Sequence, residues 1–342
     1  MVDLVASAAL GLVIWYGGLS AMTGGVTIGV LIAFIQYARR FFEPIRNLSD
    51  QFNLLQSAMA GAERIFGLLD TDESIPAPDE VTAWEKVDGR IEFRNVWFSY
   101  DPTAKPDDLE ADWVLQDVSF VVNPGESLAI VGATGAGKTT IINLLLRFYE
   151  IQKGEIVVDG VNIRKLDLDN LRDHIGLVLQ DVFLFSGSVR ENVILRNEDL
   201  GDERIRAAAE AIGASGFIDK LSDGFDQEVK ERGMSLSHGQ RQLLSFLRAL
   251  VYDPRILVLD EATSSVDTET EEIIQKALET LMKGRTSIAI AHRLSTVQHA
   301  DQILVMHRGQ VRERGSHQQL IAAEGLYRKL YELQYKDQEL AV

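Results

Sequence analysis

The stretch Leu128-Ala129-Ile130-Val131-Gly132-Ala133-Thr134-Gly135-Ala136-Gly137-Lys138-Thr139-Thr140 decides how the rest of the chain is read. Leu128 to Val131 is a short apolar run of the kind that forms a buried strand. Gly132, Gly135 and Gly137 follow, then Lys138 and Thr139, and a helical pattern starts at Ile141, Ile142 and Leu144. Strand, glycine loop, Lys-Thr and helix in that order make a phosphate-binding P-loop. The glycines let the backbone curl so that successive N–H groups point inward at phosphate oxygens. The helix N-terminus adds its partial positive charge at the same place. Lys138 has the reach for the β- and γ-phosphates of a nucleotide, and the Thr139 hydroxyl suits Mg²⁺.

Outward from this loop, composition narrows the possibilities. A chain of 342 residues with 46% hydrophobic residues has room for about two domains, each with a real core. The net charge of −17 argues against a nucleic-acid-binding surface. There is no cysteine, which excludes disulfides, thiolate catalysis and Cys-based zinc sites.

Nothing from Leu4 to Ala38 is charged. One crossing of a bilayer takes about 20 apolar residues, so this stretch is too long for one span, and Thr23-Gly24-Gly25 breaks it near the middle. The pattern predicts two membrane helices, Leu4–Met22 and Val26–Phe42. Arg39, Arg40 and Arg46 put the end of the second in the cytoplasm. Leu48, Phe52, Leu55, Met59, Ala62, Phe66 and Leu69 then recur at steps of four and three, a heptad stripe that predicts a helix from about Pro44 to Asp70. No other segment offers that stripe a partner, which points to packing against helices outside this chain. The resulting division is a partial transmembrane domain of two helices over 1–70, the second extended into the cytoplasm, a linker over 71–87 with Pro76 and Pro78, a globular domain over 88–335 and a tail over 336–342.

Within the globular domain, strands are expected over Arg90–Tyr100 and Val114–Val122, with an Asn123-Pro124-Gly125 turn before the P-loop strand. Asp159-Gly160 marks a hairpin. Ile175–Leu179 reads as a buried strand ending at Gln180, and a helical stretch runs from Asp202 to about Leu250. Ile256-Leu257-Val258-Leu259 is an apolar strand ending in Asp260-Glu261. The C-terminal ends of such strands are where open α/β sheets place ligands. Asp260 fits a Mg²⁺-holding role, and Glu261 is placed to polarise an attacking water. Strands alternating with helices predict a mainly parallel α/β sheet with a separate helical lobe. Ser237 and Gly239, directly before a helix from Arg241, form a second anion-seeking surface. One nucleotide does not need two such surfaces from one chain, so the second is expected to serve a nucleotide on a partner molecule.

The order of these motifs resembles the ATP-binding cassette (ABC) family: Tyr100, the Walker A loop at Gly132–Thr139, Gln180, the signature Leu236-Ser237-His238-Gly239-Gln240, the Walker B strand ending at Asp260, then Glu261, Asp267 and His292. The resemblance is closest to exporter half-transporters. It implies an α/β P-loop NTPase fold with a helical lobe, and a head-to-tail dimer, homomeric or heteromeric, with two sandwiched ATP molecules. It implies nucleotide contacts from Tyr100, from Gly132, Ala133, Thr134, Gly135, Ala136, Gly137, Lys138, Thr139 and Thr140, and from Ser237, Gly239, Gln240 and Asp267. Thr139, Gln180 and Asp260 are implied as Mg²⁺ ligands, and Glu261, His292 and Gln180 as the groups that manage the γ-phosphate and its attacking water. It implies a membrane protein of the cell membrane, in contact with lipid, with its ATPase domain in the cytoplasm. The alternatives are one half of an asymmetric heterodimer and a non-transporting ABC ATPase. Two features depart from the family pattern. His238 stands where glycine is usual, and only the last two of six membrane helices are seen, which is read as truncation in preference to a separate membrane polypeptide.

Overall fold

The computed structural model describes the chain except residues 1, 72–74, 76–77, 79–80, 83, 85–86, 106–110, 196, 198, 231–232, 261–267, 292–293 and 335–342. The chain divides into two units, Met1–Ser74 and Ile75–Val342.

The first unit is a helical hairpin of α1 (Val2–Met22) and α2 (Ile28–Leu69). A turn ends α1, where Thr23 Oγ1 donates to the Ser20 carbonyl. Thr27 caps α2 by accepting from Val30 N. The two helices meet closely at Gly17, where a Cβ would lie 2.4 Å from Leu31 Cδ1. Of the two expected membrane spans, Leu4–Met22 is long and apolar enough to cross a bilayer. The second begins at Ile28 and runs on into the heptad stretch as one helix. Its apolar run from Ile28 meets Arg39 and Arg40 after Ala38 and continues through Pro44 to Leu69 without a break. Pro44 lies inside this helix: a proline removes only one hydrogen bond from a helix this long and can be carried within it. The stripe residues Leu48, Phe52, Leu55, Met59, Phe66 and Leu69 are all exposed.

Among the described residues the second unit contains three sheets, two large ones and a two-strand ladder, where a single mainly parallel sheet was anticipated. Strands β1 (Ile91–Phe98), β2 (Leu115–Val122), β4 (Lys153–Val158) and β5 (Val161–Asn162) form an antiparallel sheet in the order β2-β1-β4-β5. The β4–β5 hairpin turns at Asp159 (φ 48°) and Gly160 (φ 83°), the left-handed pair such a two-residue turn requires. The Asp159 carboxylate also accepts from the backbone N–H groups of Asp88, Gly89 and Arg90, which fixes the entry into β1.

The larger sheet has six strands. They are β3 (Ser127–Gly132), β6 (Ile175–Val178), β9 (Ile256–Asp260), β10 (Thr286–Ile290), β11 (Gln302–His307) and β12 (Gln310–Gly315), in the order β12-β11-β3-β10-β9-β6. All pairings are parallel except the terminal β11–β12 hairpin. Helix α3 (Lys138–Leu145) lies in the core shared with the antiparallel sheet, where Ile141 and Leu144 pack with Phe93, Phe120, Leu128 and Ile130. The Phe93 and Phe120 rings stack at 4.5 Å.

The helical lobe follows β6. It is α5 (Val189–Ile194), α6 (Asp202–Ala211), α7 (Ser215–Ile218) and α8 (His238–Tyr252), after the short α4 (Leu168–Asp173), with a two-strand ladder of β7 (Gly187–Ser188) and β8 (Glu228–Val229). Leu243, Leu244, Phe246 and Leu247 of α8 pack on Ile205 and Ala209 of the lobe and on Leu257 and Leu259 of β9. This one cluster joins the lobe to the sheet. Helices α9 (Thr268–Met282), α10 (Leu294–His299), α11 (His317–Ala322) and α12 (Leu326–Gln334) complete the unit. The C-terminal helices cover the far face of the sheet, with Tyr327 fully buried beside Val297, Ile303 and Leu320.

Candidate functional site

Four neighbouring strands of the large sheet end on one edge. In the order β3-β10-β9-β6, their registers pair Ile130 with Ile290, Ile290 with Asp260, and Leu259 with Val178. The P-loop leaves β3 at Gly132, Ala291 follows β10, Asp260 closes β9, and Gln180 lies two residues beyond β6. Three strand spacings of about 4.8 Å set the P-loop strand about 14 Å from the Gln180 strand. The fold therefore gathers motifs tens to more than a hundred residues apart on the edge where such sheets bind ligands. Glu261, Asp267 and His292 lie outside the described residues, and the structure brings only the strand ends before Glu261 and His292 to this edge.

The P-loop has the local geometry its glycines imply. A Cβ on Gly132 would stand 2.3 Å from the Met306 carbonyl oxygen of the neighbouring strand. Gly137, at φ 96°, is the N-cap of α3 and would clash with Leu115 Cδ2 at 2.6 Å if it carried a side chain. Glycine offers no side-chain oxygen to the first N–H groups of α3, so these remain for an external acceptor. Ala133, Thr134, Gly135 and Thr139 are exposed, whereas Ala136, Gly137, Lys138 and Thr140 are buried.

Lys138 folds along the loop. Its Nζ donates to the carbonyls of Gly132 at 2.8 Å and Ala133 at 3.1 Å, which accounts for two of its three N–H groups. Burial pushes the Lys138 ammonium below its usual pKa, and the Asp260 carboxylate works against that shift. The last residue of β9 thus lies close enough to the P-loop lysine to act on its charge. The oxygen-rich set of Thr139, Asp260 and Gln180 suits a hard divalent cation such as Mg²⁺.

Tyr100 is half-exposed and its hydroxyl lies 3.1 Å from Thr140 Oγ1. Its ring meets Phe98 edge-to-face at 4.8 Å and Tyr149 at 5.0 Å. Tyr149 was not singled out in the sequence, because nothing in its local pattern ties it to a residue 49 positions earlier.

The signature segment sits at the start of α8. Ser237 is the N-cap: its Oγ accepts from Gln240 N at 3.2 Å, and Gln240 Oε1 accepts from Ser237 N at 2.9 Å. The Gln240 side chain is thereby engaged in a capping box, while Ser237 itself is exposed and Gly239 buried. His238 is the first residue of the helix, without a positive φ, and its Nδ1 is enclosed. Arg241 donates to the Leu236 carbonyl at 2.7 Å, holding the loop that leads into the helix.

Comparison with known proteins gives a consistent picture. A family model described as ABC transporter matches residues 115–264. A probable multidrug resistance ABC transporter ATP-binding/permease protein of Bacillus subtilis is 46% identical over 336 residues, 98% of this chain and 48% of that protein. A fatty acid ABC transporter ATP-binding/permease protein of Mycobacterium bovis is 45% identical over 91% of this chain and 48% of its own length. An ATP-dependent lipid A-core flippase of Syntrophus aciditrophicus is 39% identical over 99% of this chain and 55% of its own. Among solved structures, a bacterial Atm1-family ABC exporter with ATP bound matches with a TM-score of 0.70 and 34% identity, over 98% of this chain and 56% of that one. The chain spans about half the length of the relatives it matches.

Proposed function

The chain carries an ATP-binding domain of the ABC transporter family, and from that premise we propose that it binds and hydrolyses ATP to power export of a substrate across the cell membrane. In this reading it works in a two-chain assembly with a second half-transporter, homomeric or heteromeric, in contact with membrane lipid and with the ATPase domain in the cytoplasm. Two ATP molecules are held between the chains, each by one chain's P-loop and the other's Ser237 and Gly239. The observation that carries the proposal is the shared strand edge, where a glycine-capped helix N-terminus, a buried lysine and Asp260 converge.

In the proposed mechanism, Tyr100 stacks on the adenine ring. The backbone N–H groups of 132–140 and the remaining N–H of Lys138 hold the phosphates. Thr139, Asp260 and Gln180 would hold Mg²⁺, which when bound would neutralise phosphate charge. Glu261 accepts a hydrogen bond from the attacking water and takes its proton, with His292 keeping that water in line and Asp267 contacting the nucleotide across the dimer. The water oxygen bonds to γ-phosphorus as the bond from γ-phosphorus to the ADP oxygen breaks, giving ADP and inorganic phosphate, and the proton rests on Glu261. The test is ATP turnover by the full chain in lipid nanodiscs, with Glu261→Gln beside it. The variant should retain ATP binding, lose multiple turnover and accumulate an ATP-bound dimer. Near wild-type turnover in Glu261→Gln would remove that residue from the mechanism.

A further inference from the structure

Three aromatic rings and a hydroxyl fix one side of the proposed nucleotide site. Phe98 is buried in the core at 1% exposure, while Tyr100 and Tyr149 are 47% and 46% exposed. Tyr100 stands at 83° to Phe98 and at 87° to Tyr149, with ring centroids 4.8 and 5.0 Å apart, and Tyr149 also touches Phe98 at 5.8 Å. In a right-angled pair one ring's edge meets the other's face, so neither ring can turn freely without losing the contact. The far end of Tyr100 is tied to Thr140, two residues after the P-loop lysine. Tyr100 is therefore held at its root by Phe98, along its side by Tyr149 and at its tip by the P-loop helix.

From this arrangement we propose that Tyr149 is a positioning residue for base recognition: it sets the plane of the Tyr100 ring on which the purine stacks. The inference rests on the nucleotide reading given above. A tyrosine serving only the core would be expected to bury most of its ring. Tyr149 instead leaves nearly half its surface in solvent while keeping the contact with Tyr100, beside the helix whose N-terminus carries the P-loop. With Tyr149 removed, Tyr100 keeps its hydroxyl contact but loses the lateral constraint, and a base must then order the ring as it binds.

The experiment uses the full 342-residue chain in detergent, with Mg-ATP and Mg-tripolyphosphate as base-bearing and base-free probes. Tyr149→Leu and Tyr149→Ala should raise the ATP Kd by about 2- to 12-fold, the worth of one edge-to-face pair. The tripolyphosphate Kd should stay unchanged, and Tyr149→Phe, which keeps the ring, should bind ATP within twofold of wild type. A wild-type ATP Kd in Tyr149→Leu would overturn the proposal. So would an equal loss of affinity for both probes, or failure of Tyr149→Phe to restore binding. Absence of ATP binding in the wild-type chain would be a separate failure, overturning the nucleotide reading and this inference with it.

Discussion

Replacing Lys138 by methionine separates what this residue does for folding from what it does for binding. The variant keeps the aliphatic stem and removes the charge. In the ligand-free fold, Nζ makes two hydrogen bonds to loop carbonyls, and bonds to a charged group contribute about 1.5–3 kcal/mol each. Against this stands the desolvation of a buried ammonium, a penalty of several kcal/mol that acts in the opposite direction. The lowered pKa of Lys138 has the same sign: folding disfavours its charged form, so the charge lowers stability at neutral pH and the loss is relieved as pH rises through the folded-state pKa. The two contributions nearly cancel, and Lys138→Met should shift the unfolding midpoint little, or upward. The nucleotide complex loses a charge-assisted bond to phosphate worth about 1.5–3 kcal/mol, which is about 10- to 150-fold in Kd. Calorimetric titration with Mg-ATP, alongside chemical denaturation of the ligand-free chain, reads both quantities. An ATP Kd within threefold of wild type would refute the phosphate role. A large drop in stability would refute the balance drawn between the carbonyl bonds and burial.

His238→Gly should change ATP turnover less than threefold, because His238 begins α8 without a left-handed φ and its ring nitrogen is enclosed. A tenfold or larger gain would instead favour a degraded site in an asymmetric pair. Gly239→Asp should abolish turnover in the same assay by setting a carboxylate beside the partner-bound phosphate. Glu92 is bound by Arg94 and by Arg90, and these hydrogen bonds hold its pKa at about 2. Its contribution to stability is thus fully present above the unfolded carboxylate pKa and is lost as pH falls from about 4.5 towards 2. Denaturation of Glu92→Gln against wild type should show a deficit at pH 7 that shrinks below pH 4.5, and a deficit independent of pH would refute the assignment.

What the sequence by itself determined is what depends on short spacing. The P-loop, the Asp159-Gly160 hairpin and the Ile256–Asp260 strand each rest on residues close enough to constrain one another through the backbone. For the same reason the long helix of the first unit was legible from its periodicity. The heptad stripe marks a face, and Pro44 is carried within the helix. Tertiary structure decided which strands are neighbours. Parallel strands are joined through long crossovers, so nothing local tells β3 that it lies between β10 and β11, or separates the β2-β1-β4-β5 strands into a sheet of their own. That ordering carries Gly132, Asp260 and Gln180 to a single edge, and it sets Tyr149 against Tyr100, because the sheets and α3 share one apolar core whose burial is a property of the whole unit.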